Sequence, residues 1–185
     1  MNLKRTYFIV VLGLMVFYTL MCILGDEDYV SERSMEMHAG NAQVSWMVAD
    51  FHNWHKWQQL LNDGENQTPI ITGEAMMAGH AMMFTSGERN ERFKLKAIYA
   101  QPSWVDQIYF VRDVWVNGQI TPAESGSLMF EIVQGKAGNI TLLCKIHQGK
   151  VPFWFRGMIY VLGGNDQLNR WNEENLQSIK KVLEG

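Results

Sequence analysis

The residues able to move protons or hold a metal ion are few in this chain. There are five histidines and two cysteines in 185 residues. His52 and His55 lie in "VADFHNWHKWQQL" (Val48 to Leu60), three residues apart, and would share one face of a helix. Zinc takes three or four ligands in fixed geometry. No acidic or cysteine partner is counted near the pair in sequence, so it reads as a solvent-facing pair flanking buried aromatics, and no metal is expected. His80 opens "HAMMFTS", where strand alternation puts it on one face with Met82 and Phe84. If that face points inward, His80 is a polar group in apolar surroundings. It could orient a ligand or act as an acid or base; a hydrogen-bonded structural histidine is the competing reading. Cys22 sits in an apolar N-terminal run and Cys144 in a strand-like stretch, so pairing is not expected and there is no CxxC motif. No nucleophile elbow, phosphate-binding loop, HExxH or dinucleotide fingerprint occurs, and no cofactor is expected.

Large flexible and aromatic side chains are more prominent than catalytic ones. Phe51, Trp54 and Trp57 recur at intervals of three. Rings at that spacing can anchor a short helix against a sheet, which suggests a structural hinge at the rim of a cavity. Twelve methionines are present, with Met76, Met77, Met82 and Met83 close together. Methionine fills irregular apolar space, so these serve either an ordinary core or the wall of an adaptable ligand cavity.

The elements that would position these residues follow from periodicity. "YVSERSMEMH" alternates as a strand, and Asn41 is a plausible N-cap for a short helix with Val44, Met47 and Val48 on one face. "FHNWHKW" reads as a second helical turn. Strand patterns follow in "IITGEA", "HAMMFTS", "RFKLKAIYA", "WVDQIYFVRDVWV", "SGSLMFEIVQ" and "GNITLLCKIHQ". Leu128, Phe130 and Ile132 share a face, as do Ile140, Leu142, Cys144 and Ile146. Pro152 then opens a long helical segment reaching the C-terminus. Phe155, Ile159 and Leu162 form its first stripe, and Leu168, Trp171, Ile179 and Val182 continue it after Gly163-Gly164. The expected class is α+β, with that helix covering the open face of an antiparallel sheet.

The first residues are different in kind. Lys4 and Arg5 precede 18 largely apolar residues, Tyr7 to Leu24, and Asp26, Glu27 and Asp28 follow. That length reaches across a bilayer core. A secretory signal is the rival, but it would have small residues before its cleavage site, and here the exit is bulky almost to Gly25. The expectation is an uncleaved anchor over residues 1-25 and one domain over 26-185. Basic residues before the span place the N-terminus in the cytoplasm and the domain on the far side, periplasmic or extracellular. The formal charge of the whole chain is -3. With no Lys/Arg cluster, nucleic acid is not an expected partner.

Two stretches, "AQVSWMVADFHNWHKWQQL" and "VPFWFRGMIYVLGG...LNRWNEENLQSIKKVLE", set in this order of elements, resemble the START/Bet v 1-like (SRPBCC) superfamily, in particular its polyketide cyclase/dehydrase and lipid-transport branch. The resemblance covers about residues 29 to 184. It implies a helix-grip fold: a curved antiparallel sheet wrapped on a long C-terminal helix around an apolar cavity. The candidate lining is then His80, Met82, Phe84, Phe93, Leu95, Tyr99 and Phe130 from the sheet side. Phe155, Met158, Ile159 and Leu162 would line it from the helix. Gly163-Gly164 interrupts the closing helix, and Phe84 stands where relatives carry tryptophan. The implied function is a membrane-anchored domain that binds a hydrophobic small molecule or lipid. The alternatives are a cyclase or dehydratase acting on an apolar carbonyl compound, with His80 as acid or base, and a partner-binding domain with no open cavity.

Overall fold

Strict alternation of apolar and polar residues produces antiparallel strands with one dry face. The computed structural model describes residues 3–58, 68–86, 91–99, 107–116, 119–120, 126–135 and 139–185, with backbone alone at 84–86, 91–99, 112–116 and 120. Within them β1 (Tyr29–Met37), β2 (Ile70–Thr72), β3 (Ala81–Ser86), β4 (Glu91–Tyr99), β5 (Gln107–Val116), β7 (Gly126–Gln134) and β8 (Ile140–Gln148) join in the order β1-β8-β7-β5-β4-β3-β2. The two-residue β6 (Gln119–Ile120) pairs with β5. Register stacks the dry face across the strands. Ile108 lies opposite Phe130 and Phe110 opposite Leu128. Leu128, Phe130 and Ile132 in turn face Ile146, Cys144 and Leu142. All of these side chains are buried.

Two helical elements cover that face. The first is α2 (Asn41–Ala49), followed by a 3₁₀ helix (Phe51–Lys56). The N-cap of α2 is Gly40, not Asn41. Gln43 Oε1 accepts the Gly40 N–H at 3.1 Å, while Asn41 turns inward along the helix and accepts from Ser45 Oγ. Phe51, Trp54 and Trp57 are all buried. The indole N–H groups of Trp54 and Trp57 donate to the Val48 and Met47 carbonyls at 2.9 and 3.2 Å. Their rings interlock with Phe110 and Phe130 at centroid distances of 5.4 and 6.2 Å. The histidine-tryptophan stretch is therefore an aromatic plug seated on the sheet.

The second cover is α4 (Gly164–Glu184), which packs across β1 and β8 and contributes Leu176 and Ile179 to the core. A buried amide ties it down: Asn172 Nδ2 donates to Ser31 Oγ at 3.1 Å and to the Cys144 carbonyl at 3.0 Å. Near its C-terminus, Lys180 Nζ donates to the Glu36 carbonyl at 2.9 Å, and Glu184 accepts the His38 N–H at 2.7 Å.

The single closing helix expected after Pro152 is in fact two helices. α3 (Phe153–Val161) ends where Gly163 takes φ +67 and ψ 43. That left-handed conformation suits glycine and terminates a helix. The Gly163 carbonyl then accepts from Asp166 and Gln167, starting α4. α3 is thereby directed away from the sheet and onto α1 (Leu3–Leu24). The two backbones touch at glycines. A Cβ on Gly157 would lie 2.9 Å from Cys22 Sγ and 3.2 Å from Met21 Cβ, and one on Gly25 would lie 2.7 Å from the Arg156 carbonyl. Tyr18 Oη donates to the Trp154 carbonyl. α1 itself is one helix long and apolar enough to cross a membrane, and only 6% of its apolar window is buried. At 1.5 Å per residue it spans about 33 Å, against a hydrocarbon core of about 30 Å.

Trp54→Ala should destabilise the protein by about 3–5 kcal/mol, the usual cost of truncating a buried large aromatic. Trp46, in the same segment but 52% exposed, should tolerate alanine within about 0.5 kcal/mol. Thermal melts of the two variants against the parent check both values.

Candidate functional site

Where α3 departs from α4, the chain leaves a pocket of about 350 Å³. Val151, Ile159, Leu168 and Trp171 supply apolar walls, and Tyr29, Gln148 and Gln167 supply polar groups. The hinge makes the space. Gly164 has no room for a side chain, because a Cβ there would run into Ile159 and lie 3.6 Å from the Tyr29 ring. Tyr29 is 4% exposed, and its hydroxyl has no hydrogen-bond partner among the described residues. Burial raises the Tyr29 phenol above its ordinary pKa, and the nearby Asp26 carboxylate adds to the effect against the opposing charge of Arg156, so the phenol stays protonated. A mainly apolar hollow with a few placed polar groups suits a small molecule that is largely hydrocarbon.

One corner of this region is tied electrostatically. Glu27 meets Lys150 at 3.2 Å and Arg156 at 3.3 Å. The hydrogen bond and charge of Lys150, with the charge of Arg156, hold the Glu27 carboxyl below its ordinary range. The Val151 N–H donates to the Glu27 carbonyl at 3.0 Å, which fixes the approach to α3 beside the start of β1.

A second cluster forms around His80, which is wholly buried just before β3. Its Nε2 accepts the Phe51 N–H at 3.2 Å and lies 3.6 Å from Asp50 Oδ1. The ring stacks on Phe51 with a centroid distance of 4.7 Å. Because Nε2 is the acceptor, the proton is assigned to Nδ1, which has no partner among the described residues. Asp50 caps the 3₁₀ helix: its Oδ1 accepts the backbone N–H of His52 at 2.9 Å and contacts His52 Nδ1 at 2.8 Å. Ligand-capable atoms of Asp50, His52 and His80 thus lie within 4.8 Å of one another. The lone pairs a cation would take are largely engaged: Asp50 is hydrogen-bonded to exposed His52, and buried His80 accepts the Phe51 N–H at Nε2 and only approaches the Asp50 carboxylate. Asp50 is the acidic partner that the spacing of His52 and His55 left unseen.

No protein-family model matches the chain, and no curated protein sequence does. Solved structures do match. A START superfamily protein from Mycobacterium smegmatis shares 15% identity over 84% of this chain and 97% of its own, with a TM-score of 0.56. Truncated norcoclaurine synthase from Thalictrum flavum shares 16% identity over 84% and 92%, with a TM-score of 0.57. DynU16, from the dynemicin biosynthetic locus, shares 14% identity with a TM-score of 0.56; 86% of this chain spans 48% of that one, about half its length. The fold is START/Bet v 1-like. At these identities the likeness is one of architecture, and the sheet with its C-terminal cover is the helix grip expected from the sequence.

On this START-like frame the candidate lining residues separate. His80, Met82 and Phe130 are buried under the aromatic plug. Phe130 packs edge-on against Trp57 and Phe110, so this part of the dry face is filled by protein. The side chains of Phe84, Phe93, Leu95 and Tyr99 lie outside the described residues; their backbones pair Phe84 with Phe93 and Met82 with Leu95. Ile159 lines the pocket. Phe155, Met158 and Leu162 do not face the sheet. They are 55%, 48% and 61% exposed on α3 and beyond its end, because Gly163 redirects that helix. Tyr29, Leu168 and Trp171 complete the pocket. Tyr29 reads in sequence only as the first residue of an alternating strand, and nothing local marks it as special.

Tyr29→Phe should stabilise the ligand-free protein by about 1 kcal/mol, since it removes a buried hydroxyl that makes no hydrogen bond; a raised melting temperature checks this. Glu27 contributes stability above the ordinary carboxylate value of 4.5, and that contribution is lost as pH falls through its lower folded value. The melting-temperature gap between parent and Glu27→Gln should therefore be widest near neutrality and close below pH 4.5.

Proposed function

We propose that this protein is a membrane-anchored binding module that takes a hydrophobic small molecule or lipid into the pocket beside the α3–α4 hinge. The observation that carries the reading is the hollow in the angle between α3 and α4, walled by Val151, Ile159, Leu168 and Trp171 with Tyr29 on one side. The START-like fold supports the same reading, as a frame suited to enclosing an apolar ligand between sheet and helix. Residues 1-25 serve as the anchor. Lys4 and Arg5 before the span and Asp26 to Asp28 after it favour a cytoplasmic N-terminus and a domain of residues 26-185 on the far side.

The Asp50–His52–His80 network supports a second reading, an enzyme acting on an apolar carbonyl compound. A solved structure of this fold is named for a synthase. With Nε2 held by the Phe51 N–H, His80 presents Nδ1–H as a hydrogen-bond donor. To act as a base it would have to surrender that hydrogen bond. This asymmetry, and the distinct position of the Tyr29 pocket, favour binding over catalysis. A domain without an open cavity is disfavoured by the pocket itself.

Full-length protein purified in detergent should carry a co-purifying apolar molecule detectable by native mass spectrometry. It should also bind an environment-sensitive apolar dye with a saturable isotherm. Leu168→Trp, which fills the pocket, should abolish dye binding in a folded protein. Undiminished binding in folded Leu168→Trp places the ligand elsewhere. Conversion of the ligand that stops in His80→Asn while binding persists would establish the enzyme reading instead.

A further inference from the structure

We infer that α3 is a second membrane element, lying in the plane of the lipid–water interface beside the exit of α1, with its apolar side covered by acyl chains. This rests on the reading of α1 as a membrane span. Gly157 is the only buried residue of α3. Trp154, Phe155, Met158, Tyr160, Val161 and Leu162 are between 48% and 67% exposed. Six large apolar or aromatic side chains in one short stretch are more than a soluble monomer ordinarily leaves in water.

The position of α3 identifies what covers it. Its contacts with α1 are at Tyr18, Met21, Cys22 and Gly25, the last turns before Asp26. If α1 crosses a bilayer, those turns lie where acyl chains give way to headgroups, and a helix docked on them lies at the same depth. Leu20, Ile23 and Leu24, in the same last turns of α1, are exposed as well, so one lipid environment would serve both helices. Trp154 and Tyr160 are of the residue types that favour this boundary. The only charge on α3, Arg156, is directed to Glu27 and to the Val151 carbonyl at 3.0 Å, leaving the remaining faces free of charge. At nine residues α3 is far too short to cross a bilayer core, so a place against lipid is a place at its boundary. The pocket shares Ile159 with α3, so lipid-facing and pocket-facing residues sit on one short helix. A molecule dissolved in the bilayer would then meet the pocket at the membrane surface, without crossing water.

The test uses the full chain in phosphatidylcholine vesicles, with single added cysteines carrying an environment-sensitive fluorophore. Val161→Cys and Met158→Cys report on α3, Val10→Cys on the span, and Val133→Cys, exposed on the sheet, on water. The native thiols Cys22 and Cys144 are buried and stay unlabelled. Burial also pushes the Cys144 thiol pKa far up. Quenching is measured with nitroxide lipids, shallow and deep, and with aqueous iodide. The expected result is that both α3 labels are quenched by the shallow lipid nitroxide and lose iodide quenching, while Val133→Cys does the reverse and Val10→Cys responds to the deep nitroxide. If Val10→Cys is lipid-quenched but both α3 labels are as open to iodide as Val133→Cys, α3 lies in water and the inference falls while the anchor stands. If Val10→Cys itself escapes lipid quenching, the anchor reading fails. Labels on α3 shielded from both quenchers would mean that a second copy covers the face, which also overturns a lipid environment.

Discussion

One backbone conformation divides the labour of the C-terminal third. Gly163 in the left-handed region ends α3 and lets α4 start on a new axis. A β-carbon there would resist that conformation, and a continuous helix would have to choose between the sheet and α1. With the break, α4 covers β1 and β8 while α3 covers the end of α1. The pocket beside Tyr29 lies in the angle between them, so the same glycine that separates the two packing jobs also creates the space between them.

The dry face of the sheet is satisfied largely from within. The aromatic plug of Phe51, Trp54 and Trp57 lies over Phe110 and Phe130, and His80 stacks beneath it with its Nε2 engaged by backbone. A START-like frame is usually pictured as holding its ligand between sheet and closing helix. Here the aromatic rings occupy the part of that face described by Phe110 and Phe130, and among the described residues a hollow lies toward the N-terminus of α4. Its polar groups are two amides and the rim of a tyrosine in an apolar setting.

The sheet was legible in the sequence because alternation is a local signal: the shared faces of Leu128, Phe130 and Ile132, and of Ile140 to Ile146, follow from spacing alone. The C-terminal break was legible too, in Gly163-Gly164. Its consequence was not. A stripe such as Phe155, Ile159 and Leu162 states that one side of a helix is apolar, but not whether protein or lipid will meet it. The Asp50–His52–His80 network was hidden for another reason. Asp50 turns toward both histidines only because it caps a 3₁₀ helix, and His80 arrives from 30 residues further along the chain. Tyr29 carries no signature at all, since its place on the pocket wall is set by three-dimensional packing.

The open edge of β1 gains further meaning if the protein lives on a membrane. Confinement to two dimensions raises the encounter rate between copies, and an unpaired strand edge is a template on which further chains can add. Here the edge is blunted from the side. Lys180 occupies the Glu36 carbonyl and Glu184 the His38 N–H, while Glu32, Arg33 and Glu36 stud the strand with charge. At the opposite end, β2 is only three residues long. The C-terminal end of the β1 border is thus engaged and β2 offers only three residues, which shortens the template that copies crowded on one bilayer could extend.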